Sequence, residues 1–239
     1  MQHYYYLILD LFSFAIPFLF SFEKKWMHFI RFWKPYFSAI FIVGIFFILW
    51  DIYFAYENVW GFNDDYLLGI RWFKLPLEEW LFFLLIPYSS NFIHYSLAYF
   101  FSKFELKKTT TQSITILLFI ISFGVFVWNL DKIYTASSFG LFAVLMLLQM
   151  IFQWEYAQKF YLSFIIIYIP FFMVNSALTG MFTENPVVFY NNQENLGIRV
   201  GTMPLEDSFY CFSMLYGSVL LFEYLKKSCV HAKSQRLTQ

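Results

Sequence analysis

The chain has 239 residues, of which 60% are hydrophobic, 26% aromatic and 13% charged, with a mean hydropathy of +0.56. This composition lies outside the usual range of soluble domains and is typical of an integral membrane protein. A formal net charge of zero gives no reason to expect nucleic-acid binding. The 4 His and 2 Cys residues lack metal-ligand spacing, and no glycine-rich nucleotide motif is present, so we predict no metal and no bound cofactor.

Near-continuous apolar runs predict seven transmembrane helices, because a helix needs roughly 17–25 such residues to cross ~30 Å of hydrocarbon. In chain order the runs are residues 4–21, 36–56, 80–101, 113–130, 136–153, 160–178 and 208–225. The predicted fold class is therefore an all-α polytopic membrane bundle. The longest polar connections lie near residues 57–79 and 179–207.

The distribution of basic residues predicts the orientation, because Lys and Arg are retained on the cytoplasmic side. Of the 16 basic residues, twelve fall on one predicted side: Lys24, Lys25, Arg31, Lys34, Lys103, Lys107, Lys108, Lys159, Lys226, Lys227, Lys233 and Arg236. We therefore expect the N-terminus outside, the C-terminus inside, and both long polar connections on the outer face. We predict that the protein is a multi-pass protein located in a bacterial inner membrane.

A Pro-Leu-Glu-acid element occurs twice, as Pro76 to Glu79 and as Pro204 to Asp207. Residues 62–79 align without a gap on residues 190–207, at an offset of 128. Identical pairs are Asn63/Asn191, Leu68/Leu196, Gly69/Gly197, Ile70/Ile198, Arg71/Arg199, Pro76/Pro204, Leu77/Leu205 and Glu78/Glu206. We interpret this as an internal duplication.

The duplication predicts a 3+1+3 arrangement of parallel repeats, since one linking span restores the starting direction. The predicted units are residues 1–112, a linking helix at 113–131, and residues 132–239. Both motifs would then emerge on the same side of the membrane.

The motif has a structural and a functional interpretation. Proline is favoured at the first helical position, so the carboxylates would lie in the first helical turn and could simply stabilise the positive end of the helix dipole. Adjacent helical positions diverge by ~100°, so one carboxylate could face the bundle and the other solvent or a partner. Two carboxylates in each of two copies at a membrane boundary favour a functional role, with at least one acting as a proton donor.

These residues resemble the membrane-integral lycopene cyclase family, which occurs as paired bacterial and archaeal subunits, as fused chains and as half of a fungal bifunctional enzyme. The resemblance rests on residues 76–79 and 204–207, each before an aromatic-rich span, and on residues 175–180 and 196–199. The first copy has Trp72-Phe73-Lys74 where the second has Val200-Gly201-Thr202, so the two halves need not be chemically equivalent.

The resemblance implies non-redox closure of the acyclic ψ end group of lycopene, or of a related carotenoid, to a β-ionone ring, with β-carotene as a product. The catalytic residues implied are Glu78 and Glu206 as principal acid and base, with Glu79 and Asp207 tuning them or acting as counterparts. We expect Glu78 and Glu206 to meet around one dry cavity.

Further residues are predicted to bind substrate or to support the carboxylates: Arg71, Arg199, Asp51, Asn175, Trp80, Phe83, Phe209 and Tyr210. The two arginines either orient a carboxylate or anchor the chain at the membrane interface. Asp51 and Asn175 would occupy equivalent helix ends in the two halves. The aromatic faces would stabilise a carbocation.

The alternative function is a small-solute or proton transporter of the same 3+1+3 architecture. The partners predicted are a lipophilic carotenoid and the lipid bilayer. Homo-oligomerisation and association with other carotenoid-pathway enzymes both stay open.

Overall fold

The computed structural model describes residues 2–237, with side chains through residue 227. Lys233 and Arg236, assigned above to the cytoplasmic side, lie outside the residues whose side chains are described. Within residues 2–237 the chain forms seven α-helices: α1 (Tyr5–Phe20), α2 (Trp33–Tyr56), α3 (Leu77–Phe100), α4 (Lys108–Trp128), α5 (Ile133–Phe152), α6 (Tyr156–Leu178) and α7 (Leu205–Leu237).

Each predicted apolar run overlaps one of these helices. Six helices begin three to five residues before the run, as α4 does at Lys108 rather than at residue 113. Backbone hydrogen bonds continue the helix through polar residues, so an apolar run underestimates helix length at a membrane boundary.

Six helices in the described part of the chain are long and apolar enough to cross a membrane, and α3 is the one that does not meet these criteria. With 24 residues, α3 is long enough, at roughly 36 Å. Its composition is less apolar because buried polar residues, including Ser89, Ser90, Asn91 and His94, lie along it. These side chains are buried against neighbouring helices.

Helices α3 and α7 form the centre of the bundle. Helix α3 packs against α1, α2, α6 and α7, and α7 packs against α2, α3, α5 and α6. Helix α2 therefore contacts the last helix of the chain, and α6 contacts α3. This arrangement interlocks the first and second halves of the sequence.

Six short strands cover one end of the bundle, which we call the motif end: β1 (Trp60–Phe62), β2 (Arg71–Trp72), β3 (Leu75–Pro76), β4 (Val188–Tyr190), β5 (Arg199–Val200) and β6 (Met203–Pro204). Strands β1 and β4 pair antiparallel, with Trp60 opposite Tyr190 and Phe62 opposite Val188. The hairpins β2–β3 and β5–β6 have the same register, with Arg71 opposite Pro76 and Arg199 opposite Pro204. The two long polar connections thus meet over the starts of α3 and α7.

The prolines of the two motifs lie one position earlier than predicted. Pro76 has φ −68° and ψ 156° and precedes the first helical residue, Leu77. Pro204 likewise ends β6, and α7 begins at Leu205. The carboxylates that follow lie in the first helical turn, as predicted.

Candidate active site

Glu78 and Glu206 hold the loops that precede their helices. The backbone N–H of Leu68 donates to Oε1 of Glu78 at 2.7 Å, and that of Leu196 donates to Oε1 of Glu206 at 2.7 Å. Both side chains are fully buried. Among the described residues, Oε2 of each has no hydrogen-bond partner.

Glu79 and Asp207 line a narrow cavity of about 50 Å³ between the helices and the β1–β4 pair. The lining residues are Tyr6, Asp51, Trp60, Phe62, Glu79, Phe82, Phe83, Tyr134, Phe171, Asn175, Leu178, Val188, Tyr190, Asp207, Tyr210, Cys211 and Met214. The wall thus combines carboxyl groups with aromatic rings and a few hydroxyl and amide groups.

Most of the cavity wall consists of residue pairs separated by 128 positions. These pairs are Tyr6/Tyr134, Trp60/Val188, Phe62/Tyr190, Glu79/Asp207, Phe82/Tyr210 and Phe83/Cys211. The offset seen in the motif therefore also relates the two sides of the cavity.

Asp207 accepts three hydrogen bonds inside the cavity. Tyr134 donates to Oδ1, while Asn175 and Tyr190 donate to Oδ2 at 2.6 and 3.0 Å. Burial, and then the neighbouring Asp207 carboxyl, raise the pKa of the Tyr190 phenol well above its usual range, so Tyr190 remains a neutral donor. Three donors stabilise the ionised form of a carboxyl group.

Glu79 has a sparser environment. Tyr6 donates to Oε2 at 2.7 Å, and the remaining neighbours in the cavity include the rings of Phe82 and Phe83. Asp51 lines the same cavity within electrostatic reach of Glu79. A carboxyl group with a single donor and apolar surroundings is better suited to carry a proton.

Six carboxyl groups are buried in or near this site: Asp10, Asp51, Glu78, Glu79, Glu206 and Asp207. In the described part of the chain, the salt bridges involve other acidic residues, namely Asp64, Glu105 and Glu223. Buried carboxylates without basic partners cannot all be ionised at low cost.

Aromatic rings surround the space between the two carboxyl groups. The ring of Trp60 lies 5.1 Å from Tyr134, 5.8 Å from Tyr190 and 6.4 Å from Tyr210, measured between centroids. Tyr210 lies 6.5 Å from Phe83. A desolvated cation held over the face of one of these rings would be stabilised by ~2 kcal/mol.

The arginines do not reach the motif carboxylates. Arg71 donates to Asp64 at 2.6 Å and to the carbonyl of Lys74 at 2.9 Å. Arg199 donates to Asn192 at 2.6 Å and to the carbonyl of Thr202 at 3.3 Å. Each guanidinium also lies over a cavity-lining ring, at 5.9 Å from Phe62 for Arg71 and 5.3 Å from Tyr190 for Arg199. The arginines thus hold the hairpins and rings in place.

The structure brings together six of the predicted site residues around the cavity: Glu79, Asp207, Asp51, Asn175, Phe83 and Tyr210. Glu78 and Glu206 do not line it, so the expectation that these two meet there is wrong. Of the two environments expected for the second carboxylate of each pair, solvent or a partner, solvent is excluded, since all four carboxylates are buried. The loops fold over the helix starts and cover the side that would otherwise face water.

Two other predicted residues lie outside the cavity. Trp80 packs against Trp72 and Phe73. Phe209 contacts Phe139 and Phe142 on the other side of α7. Asp51 and Asn175 both line the cavity, but they are not separated by 128 residues, so they are not equivalent positions.

Sequence reasoning missed the hydroxyl donors Tyr6, Tyr134 and Tyr190, and Thr135, which donates to Glu206 at 2.7 Å. A signal was available for the first two. Extending the 128-residue offset to the first span pairs Tyr6 with Tyr134.

Among the described side chains, no group of three or more His, Cys, Asp or Glu residues is arranged to hold a metal ion.

The lycopene cyclase family profile matches residues 3–97 and 131–225, two segments that each begin before a helix lining the cavity and end beyond a motif. No curated protein and no solved structure matches the chain. The matched segments cover well over half of the sequence and contain both Glu79 and Asp207. The apolar helices indicate an integral membrane protein. The chain belongs to the lycopene cyclase family.

Proposed function

We propose that the protein is a lycopene β-cyclase that closes the acyclic ψ end group of lycopene, or of a related carotenoid, by acid–base chemistry. The observation that carries this proposal is that Glu79 and Asp207 face one narrow cavity lined by aromatic rings. Family membership supports a carotenoid as the substrate. It lends no support to the transporter alternative.

Glu79 is the acid in this mechanism. Its carboxyl proton adds to the terminal double bond of the end group and leaves a tertiary carbocation. The next double bond attacks this cation, which forms the ring bond and moves the positive charge into the ring. Positioned proton transfer of this kind contributes about 10²–10⁴-fold to a rate.

Asp207 is the base. It removes the proton from the ring carbon that carries the polyene chain, which yields the β ring with no net change in atoms or electrons. Its three donors favour the ionised form that accepts this proton. The same negative charge, with the faces of Trp60 and Tyr210, stabilises the cation before the proton is lost.

After one turnover the proton is on Asp207 and must return to Glu79. Tyr210 lies within electrostatic reach of Asp51, Glu79 and Asp207. Its buried hydroxyl makes no hydrogen bond among the described residues. We assign the return step to Tyr210 because it lines the same cavity as both carboxyl groups and its hydroxyl is not held by another described residue; Asp51, in the same lining, is a second carboxyl group along the route.

Glu78 and Glu206 are positioning residues in this proposal. They fix the loops that close the motif end and keep bulk water from the carbocation. The distribution of basic residues supports a topology of seven spans, including α3, with the N-terminus and the motif end on the outer face. The two matched segments support an organisation of two three-helix units joined by α4.

The test is expression in a bacterial host that accumulates lycopene, with the carotenoids separated by chromatography. We expect monocyclic or bicyclic β-ring products from the wild-type chain and lycopene from cells that express Glu79→Gln. An unchanged lycopene profile with abundant wild-type protein in the membrane would overturn the proposal.

A further inference from the structure

A groove of about 380 Å³ lies between α1, α3 and α6, on a part of the bundle surface formed by apolar helices. Its walls include Phe12 and Ile16 of α1, Ile86 and Ile93 of α3, and Met173 of α6. Phe12, Ile16 and Met173 are among the exposed large hydrophobic residues of the chain. The groove is therefore open to the region that lipid occupies.

Two of the three serine hydroxyls in the groove are satisfied by their own helices. Ser13 donates to the carbonyl of Leu9 at 2.7 Å, and Ser89 donates to that of Leu85 at 2.8 Å. The surface offered to a ligand is thus apolar, which suits a hydrocarbon chain and gives no site for a polar headgroup.

The groove ends against the cavity of the active site, and Phe171 separates the two spaces. Phe171 lines both spaces, with 7% of its surface exposed. Along α3, Glu79 at the cavity is followed by Ile86 and Ile93 in the groove, which places the groove roughly 10–21 Å further along the helix axis. The groove therefore leads from the carboxyl groups towards the middle of the bundle.

A second apolar groove, of about 310 Å³, lies between α4, α5, α6 and α7 and provides an internal comparison. Its lining includes Ile114, Leu162, Ile165 and Phe209. It shares no lining residue with the cavity. The two grooves are similar in size and apolarity, but only the first shares a wall residue, Phe171, with the cavity that holds the carboxyl groups.

We infer that the groove between α1, α3 and α6 holds the unreacted polyene chain of the substrate while its end group occupies the cavity, with Phe171 as the side chain that must turn aside. This inference rests on the proposed function and adds the place and direction of substrate binding. Pro17 and Pro170 lie on opposite walls of the groove. Each removes one helical hydrogen bond, which makes these walls easier to bend apart.

The test compares tryptophan substitutions at matched exposed isoleucines. Ile16, 58% exposed, lines the groove, whereas Ile8, 56% exposed on the same helix, does not. Ile165, 65% exposed, lines the second groove. We expect Ile16→Trp to lower cyclised product at least about tenfold, equivalent to a loss of ~1.4 kcal/mol in binding. For Ile8→Trp and Ile165→Trp we expect an amount of cyclised product within about twofold of the wild type, well below the tenfold change that corresponds to ~1.4 kcal/mol.

Binding is measured separately from activity. Each substitution is combined with Glu79→Gln, the protein is purified in nanodiscs, and bound lycopene is quantified by absorbance per protein. We expect Ile16→Trp to reduce bound lycopene while Ile165→Trp does not. Equal retention and equal product from Ile16→Trp and Ile8→Trp would show that the groove holds only lipid chains and would overturn the inference. Failure of the wild-type chain to cyclise lycopene would instead reject the proposed function.

Discussion

The two cavity carboxyl groups occupy equivalent positions in the chain but have different neighbours. Glu79 receives one hydrogen bond, from Tyr6, and Asp207 receives three, from Tyr134, Asn175 and Tyr190. The backbone around them is alike, since both follow a two-residue hairpin with the same register. Equivalent positions thus give Glu79 one donor and Asp207 three, and in the proposed mechanism these two groups are the proton donor and the proton acceptor.

The largest effect on activity is expected when Glu79→Gln is compared with Glu78→Gln. Removing the acid should lower ring formation by about 10²–10⁴-fold, because proton transfer to the substrate is lost. Glu78→Gln keeps an oxygen that can accept the bond from Leu68, so it should retain most activity. Cyclised carotenoid per unit of membrane-inserted protein is the measurement. The reverse order of effects would return the catalytic role to Glu78.

The donors around Asp207 are tested by exchanging the equivalent residues Tyr190 and Phe62. Tyr190→Phe removes a bond to a charged acceptor, worth about 1.5–3 kcal/mol, and should slow cyclisation about ten- to a hundredfold. Since Tyr190 stays neutral through the physiological range, its own ionisation should not change this loss between pH 7 and 9, below the ordinary tyrosine pKa of ~10.

The matching substitution, Phe62→Tyr, adds a hydroxyl beside the Glu79 side of the cavity. It should reduce activity by stabilising the ionised form of the acid. Wild-type rates from both variants would mean that the difference in donors has no catalytic consequence. Rates are compared in membranes with excess lycopene.

A smaller effect is expected for Tyr210→Phe, which keeps the ring and removes the hydroxyl. If Tyr210 returns the proton from Asp207 to Glu79, the first turnover should be nearly unchanged. Later turnovers should slow by about tenfold, a barrier increase of ~1.4 kcal/mol. Single-turnover and steady-state assays of the same membrane preparation separate the two phases. Equal slowing in both phases would assign the hydroxyl to the chemical step.

The smallest effect concerns stability, where the two copies should behave alike. Gly69 and Gly197 have φ of +80° and +70°, just after the residues whose N–H groups bind Glu78 and Glu206. Nothing lies within 4 Å of a Cβ added at either position, so Gly→Ala should cost only backbone strain, roughly 1–2 kcal/mol. The control is Gly217→Ala in α7, also without a close neighbour, which should stabilise the helix by up to ~1 kcal/mol.

These stability changes are measured as shifts in thermal unfolding of the purified protein in detergent. Destabilisation by one of the two alanines only would show that the loops differ more than their hydrogen bonds indicate.

The two hairpins differ in sequence at their turns, residues 72–74 and 200–202, and this difference has a structural explanation. Phe73 and Lys74 both have positive φ, whereas in the second turn Gly201 has positive φ and Thr202 does not. The contrast between the two tripeptides, noted from sequence, therefore reflects two turn geometries that join strands in the same register. It does not alter where the carboxyl groups lie.

The sequence by itself determined the membrane class, the approximate positions of the seven helices, and the location of the site at the starts of α3 and α7. Hydropathy and a gap-free repeat are properties of the order of residues along the chain, so both can be recognised without a structure. Only the tertiary structure decided that Glu79 and Asp207 line the cavity and that Glu78 and Glu206 do not. Adjacent helical side chains point ~100° apart, and the direction that faces the cavity depends on loops, on tyrosines from α1 and α5, and on packing between the two halves.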